Sequence, residues 1–360
     1  MSEDWRRDLE AAGSTVEVIK PAEGGVGLSA ASHEDVPRPE APAPAHPLGG
    51  EPRWLCELGW PEKPPARRYL LERPLKDGEA VGFMPAGKVC MLMAAGGAGK
   101  TMVLLQLAVA VITGKSWLNY YSVPAKERGR VLVLLGEEDK EEAQRRLHSI
   151  RDGLGLRDDW ALVEQGLDIR PLAGTDVRLV EGEGHNAKTT PGHDALQGLL
   201  AKGGYRLVIL DPLSRFAGPE TETDNHAATR FVTALEALVK ASGATLMVSH
   251  HTTKEARKTN AGDATAARGA SALTDGVRWA LTMHHAPIGD DETELRLALS
   301  KTNYSAPAEP IALDRVTDGV LKMRPATHKP TKVSKTRGNG SANHGRHFSE
   351  AGEREWDDGN

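Results

Sequence analysis

Val89-Cys-Met-Leu-Met-Ala-Ala-Gly-Gly-Ala-Gly-Lys-Thr101 reads as a buried strand, a glycine-rich turn and the opening of a helix. The helix continues through residues 102–112, an apolar run broken only by Gln106. Glycines in such a turn let backbone N–H groups point inward, and the helix N-terminus adds positive potential, so the unit is a cradle for a polyphosphate. Lys100 is the residue type and spacing that reaches the β- and γ-phosphates, and the Thr101 hydroxyl suits Mg²⁺. Ala94 stands where the strict G-x-x-x-x-G-K-[ST] pattern has its first glycine, a mild departure because the later glycines make the cradle. The candidate contacts to ATP are Gly96, Gly97, Ala98, Gly99, Lys100, Thr101 and Met102.

Outward from this turn, short aliphatic runs alternate with helical patterns. Residues 89–94, 131–135, 207–210 and 244–248 have the length and composition of strands buried on both faces. Between them, 101–113, 140–151, 193–202 and 225–241 read as helices. In the last, Ala228, Phe231, Val232, Leu235, Leu238 and Val239 recur at spacings of three and four, which gives one apolar face. Strand–helix alternation predicts an α/β fold with a mostly parallel sheet covered on both sides. Residues 277–283, 295–299, 311–313 and 320–323 read as strands without intervening helices, an antiparallel C-terminal extension of that sheet.

Several acids fall at strand ends, the edge of a parallel sheet where ligands bind. Asp211 closes Leu-Val-Ile-Leu-Asp and offers a hard oxygen for Mg²⁺. Gly-Glu137-Glu138-Asp139 follows residues 131–135; either Glu137 or Glu138 can deprotonate an attacking water, while Asp139 suits the start of the next helix. Ser249, His250 and His251 end a further strand, where a polar side chain can report on the γ-phosphate. No Cys or acid at ligand spacing makes the histidine pair a metal site. Residues 252–267 then carry Lys254, Arg257 and Lys258 with almost nothing apolar, a basic loop suited to gripping the phosphates of DNA. Arg268, before Gly-Ala-Ser, is a candidate for stabilising transition-state charge on a nucleotide in a neighbouring subunit, and Arg278 is a second.

Composition narrows the function classes. The chain has 360 residues, 39% hydrophobic and 26% charged, with a net charge of −5, so bulk charge does not coat DNA histone-fashion. The longest apolar run is far short of the roughly 20 residues of a membrane span, and a membrane protein is not expected. Two cysteines, Cys56 and Cys90, make no disulfide framework, and with no signal-peptide pattern a cytoplasmic setting is the expectation. Residues 1–75 hold 11 of the 22 prolines and read as a Pro-rich, largely disordered arm, with 53–60 as a segment that can pack through Trp54 and Trp60. Residues 326–360 read as a disordered polar tail, which leaves 76–325 as the ATPase domain.

Taken together these motifs resemble the RepA-type hexameric replicative helicases of plasmids, within the RecA-like P-loop ATPases. The likeness spans about 85–325. It rests on Gly-Gly-Ala-Gly-Lys-Thr at 96–101, Glu138-Asp139 with Arg146-Leu-His148, and Leu210-Asp211 with Arg215-Phe216. It continues with His250-His251, Arg268-Gly-Ala-Ser, Val277-Arg278-Trp279 and Ser300-Lys301-Thr-Asn303-Tyr304. The resemblance implies a RecA-like core, Glu138 rather than Glu137 as catalytic base, Asp211 as metal partner, His251 as phosphate sensor and Arg268 as a finger across a ring interface. It places Lys301, Asn303 and Tyr304 near the adjacent site. The function it implies is an ATP- and Mg²⁺-dependent helicase, a homo-hexameric ring on single-stranded DNA in plasmid, phage or mobile-element replication. The N-terminal arm, outside the pattern, is a candidate contact for a replication partner. The alternatives are a DNA-stimulated ATPase of recombination and an ATP-gated regulator or loader.

Overall fold

The computed structural model describes residues 63–182, 184–251, 271–288 and 292–325. Residues 1–62 and 326–360, and 252–270 with Lys254, Arg257, Lys258 and Arg268, lie outside the described residues. A compact unit begins at Pro65. It opens with a hairpin of β1 (Tyr69–Pro74) and β2 (Ala80–Pro85), so six residues assigned to the arm on composition belong to the fold. Leu70 and Leu71 are fully buried there, and the Phe83 ring stacks on Tyr121 and meets Trp279 edge-on.

β3 (Val89–Ala94) is buried along its whole length and leads into α1 (Lys100–Thr113). From Met102 to Val111 every residue of α1 is buried, as expected of a helix apolar on all sides. Gly114, in the left-handed region, ends it by donating its N–H to Ala110 O. β4 (Val131–Leu135) precedes α2 (Lys140–Gly153), which Asp139 caps by accepting the Glu142 N–H at 2.7 Å. α3 (Trp160–Gly166) and β5 (Leu167–Pro171) follow, then a two-stranded ribbon of β6 (Val180–Glu181) and β7 (Lys188–Thr189). α4 (Pro191–Gly203) starts at the Thr190 cap with proline in its first turn. β8 (Leu207–Asp211), the short α5 (Leu213–Phe216), α6 (Asn225–Ser242) and β9 (Thr245–His251) complete the alternating part. After α7 (Ser271–Gly276) come β10 (Trp279–Pro287), β11 (Thr293–Thr302), β12 (Ile311–Arg315) and β13 (Leu321–Met323).

One nine-stranded sheet has the order β13-β12-β11-β10-β3-β9-β8-β4-β5. The strands from β10 to β5 are parallel, and β11, β12 and β13 are antiparallel, as the patterning predicts. Alternation along each parallel strand fills two cores. Cys90, Leu92, Val133 and Ile209 pack with α1 and α2, while Met91, Leu132, Val208 and Leu246 pack with α4 and α6. Crossovers that move toward β5 pass over the first face and those that move back toward β10 pass over the second, as a single crossover hand demands. The chain therefore leaves β3 and its neighbour β9 over opposite faces, and a crevice opens between their carboxyl ends. Among the described residues no helix is long and apolar enough to cross a membrane.

Candidate active site

The loop after β3 supplies the floor of that crevice. Gly97 and Gly99 have φ of +75° and +104°, values that side chains rarely adopt and that a phosphate-binding turn needs. Lys100, only 7% exposed, donates from Nζ to Ala94 O and Ala95 O at 3.2 Å each. It also meets His251 Nδ1 at 3.1 Å. An ammonium only donates, so a charged Lys100 makes His251 Nδ1 the acceptor of this contact. β3 and β9 are neighbours in register, with Ala94 opposite His251, which is how residues 151 apart in sequence meet.

The next strands bring the acids. Asp211, 4% exposed at the end of β8, accepts a hydrogen bond on Oδ1 from Ser249 Oγ of β9. Glu137 and Glu138 follow β4, and their surroundings differ. The Glu137 side chain is 47% exposed and points to Arg215 Nε at 3.3 Å. The Glu138 side chain is 17% exposed, and Arg146 Nη2 lies 2.9 Å from its Oε1 and 3.2 Å from Glu142 Oε1. Burial raises the Glu138 carboxyl above the ordinary range; Arg146 pulls it back down, while Glu142 and Asp211 push it up. A partly dehydrated carboxylate with a raised pKa is the form a general base takes.

These ends converge on one cavity of about 370 Å³. Gly97, Gly99, Lys100, Thr101, Met102, Glu137, Glu138, Asp211 and His251, all read from the sequence, line it. Gly96 and Ala98 do not; Ala98 is buried behind the wall and offers its carbonyl to Arg315 at 3.0 Å. Arg146, Pro212, Arg315, Asp318 and Gly319 also line the cavity. Arg146 carried a signal in the sequence, a basic residue two helical turns after the acids. Arg315, Asp318 and Gly319 carried none, because they sit in the antiparallel extension far along the chain.

Other candidates stand elsewhere. His250 is buried and faces away from the cavity, with Nδ1 3.9 Å from Glu222 Oε1. Lys301 Nζ donates at 2.8 Å to Thr274 O and Asp275 O, the last carbonyls of α7, and burial lowers its pKa. Arg278 lies 4.0 Å from Glu236, and the Tyr304 ring carries Arg67 at 4.0 Å from its centre.

The residues present fit a magnesium nucleotide. Thr101 and Asp211 give hard oxygens on one cavity, beside a buried lysine and a loop with two glycines in the left-handed region. Among the described residues no cluster of three or more His, Cys, Asp or Glu could hold a metal unaided. Magnesium takes one or two protein ligands and completes its shell with phosphate and water. Residues 59–257, more than half of the chain, match the model of the AAA domain family, and the chain belongs to that family.

Proposed function

We propose that this AAA-domain P-loop ATPase hydrolyses ATP in the strand-end cavity and uses the energy to translocate on single-stranded DNA and unwind it as a hexameric ring. The observation that carries the hydrolytic half is the meeting of Lys100, Glu138, Asp211 and His251 from four different strand ends in one cavity. Lys100 and the loop N–H groups would hold the phosphates, and Thr101 and Asp211 would hold Mg²⁺, which when bound offsets the phosphate charge. Glu138 takes the proton from the attacking water, with Arg146 setting its position and its basicity. Ser249 holds the Asp211 carboxylate by donating to one of its oxygens, and the carboxylate would serve Mg²⁺. His251 links the lysine to β9, so a change at the phosphates is passed to the strand that precedes, in sequence, the basic segment with Lys254, Arg257 and Lys258. Support for the motor half is the order and spacing of motifs shared with RepA-type helicases, including Arg268 for the neighbouring subunit's site.

The test is steady-state ATP hydrolysis with and without single-stranded DNA, on full-length protein sized by mass photometry, followed by strand displacement on a forked duplex. DNA-stimulated turnover from a six-subunit species that separates strands is the expected result. Hydrolysis indifferent to DNA, with no ring, overturns the motor and favours an ATP-gated loader; open filaments on DNA favour a recombinase-type activity.

A further inference from the structure

We infer that Arg315 is a nucleotide-positioning residue, supplied by the C-terminal antiparallel extension to the phosphate loop of its own chain, where it offers a guanidinium to the polyphosphate. The inference rests on the nucleotide reading of the cavity. Arg315 ends β12. β11 runs against β10 and β12 against β11, so β12 points the same way as the parallel strands and ends at their carboxyl edge. Its Nη2 donates to Ala98 O at 3.0 Å, inside the phosphate loop, and its side chain shares the cavity wall with Lys100 and Arg146.

Charge distinguishes this arginine from its neighbours. Arg146 is paired with Glu138 and Glu142, and Lys100 is held by two carbonyls and His251. Arg315 makes no ion pair among the described residues. A guanidinium has five N–H donors in a planar fork that matches phosphate oxygens, and Ala98 uses one of them. Its base is fixed. Gln106 exchanges two hydrogen bonds with the Leu321 backbone, at 2.7 and 2.9 Å, and Arg324 ties the extension together through Asp314 and Glu294. The loop and the extension also touch directly, since a Cβ at Gly99 would meet Arg315 Nη2 at 3.2 Å and Leu321 Cδ1 at 3.3 Å. An arginine held this way orders the Ala98 peptide before the nucleotide arrives and adds a second cationic contact when it does.

The experiment is equilibrium binding of fluorescent ADP and a slowly hydrolysed ATP analogue to the full chain, for wild type, Lys100→Ala, Arg315→Ala and Arg315→Gln, over a series of salt concentrations. Melting temperatures without nucleotide are measured alongside. Arg315→Ala and Arg315→Gln each weaken both ligands about tenfold, with a shallower salt dependence and a melting temperature near wild type. The glutamine variant keeps a polar side chain and lacks the charge, so its loss reports on the guanidinium even if the alanine variant folds poorly. Wild-type affinity and salt dependence in Arg315→Gln overturn the inference and leave the nucleotide site intact. If wild type and Lys100→Ala bind neither ligand, the nucleotide reading itself fails.

Discussion

The parallel strands and the antiparallel extension both line the strand-end cavity, but they reach it by different routes. In the parallel half, β3, β4, β8 and β9 all end at the same edge, so each strand delivers its terminal residues there automatically. The extension reaches that edge only after two reversals of direction, and one long side chain crosses the remaining gap to Ala98. Parallel topology thus concentrates function in residues directly after apolar runs. The extension contributes through tertiary contacts that no local pattern announces.

Three substitutions sharpen this contrast. The largest effect is expected in the parallel half, at Lys100. Replacing it with alanine removes the ammonium from a buried position in the loop, and ATP turnover should fall by about a hundredfold or more. Steady-state hydrolysis checks this; turnover within a few-fold of wild type would move the phosphate site elsewhere.

Next comes the joint between the two halves. Gln106 is the single polar side chain in the buried span of α1, and its amide both accepts from Leu321 N–H and donates to Leu321 O. Gln106→Leu strands that peptide in an apolar layer, at a cost of about 2–3 kcal/mol. Urea denaturation should show a lower midpoint with an unchanged slope, whereas an unmoved midpoint would mean the peptide finds water or another partner.

The smallest effect is a shift in pH. Glu138 acts as a base only when ionised, so the rate falls on the acid side as the carboxyl takes up its proton. Because burial raises that pKa, the acid limb of kcat/KM should lie above the range of an ordinary glutamate. Arg146 lowers the pKa, so Arg146→Ala should move the limb further up, and a move downward would contradict the assigned pairing.

Most of the alternating core was legible because its strands are short, aliphatic and buried on both faces, α1 is one long apolar run, and α2, α4 and α6 follow capping residues. β5 was not, since Asp168 and Arg170 interrupt it at the sheet edge, where one side needs no apolar partner. The β1–β2 hairpin was hidden by Arg, Glu and Pro around Leu70 and Leu71, whose burial depends on the Phe83, Tyr121 and Trp279 cluster. Within the cavity, the glycines, Lys100, the acids and His251 at the strand ends were found, whereas Arg315, Asp318 and Gly319 of the extension were missed. Spacing alone left Glu137 and Glu138 open, the resemblance favoured Glu138, and in the structure the two differ in burial.

That separation is also the sharpest handle on the proposed hydrolysis. Single-turnover ATP cleavage by Glu138→Gln and Glu137→Gln, measured beside nucleotide binding, should show both variants binding normally. Cleavage should fall by about a hundredfold or more in Glu138→Gln, and stay within a few-fold of wild type in Glu137→Gln. Equal rates in the two variants, or a larger loss at Glu137, would contradict Glu138 as the base and the strand-end site built around it.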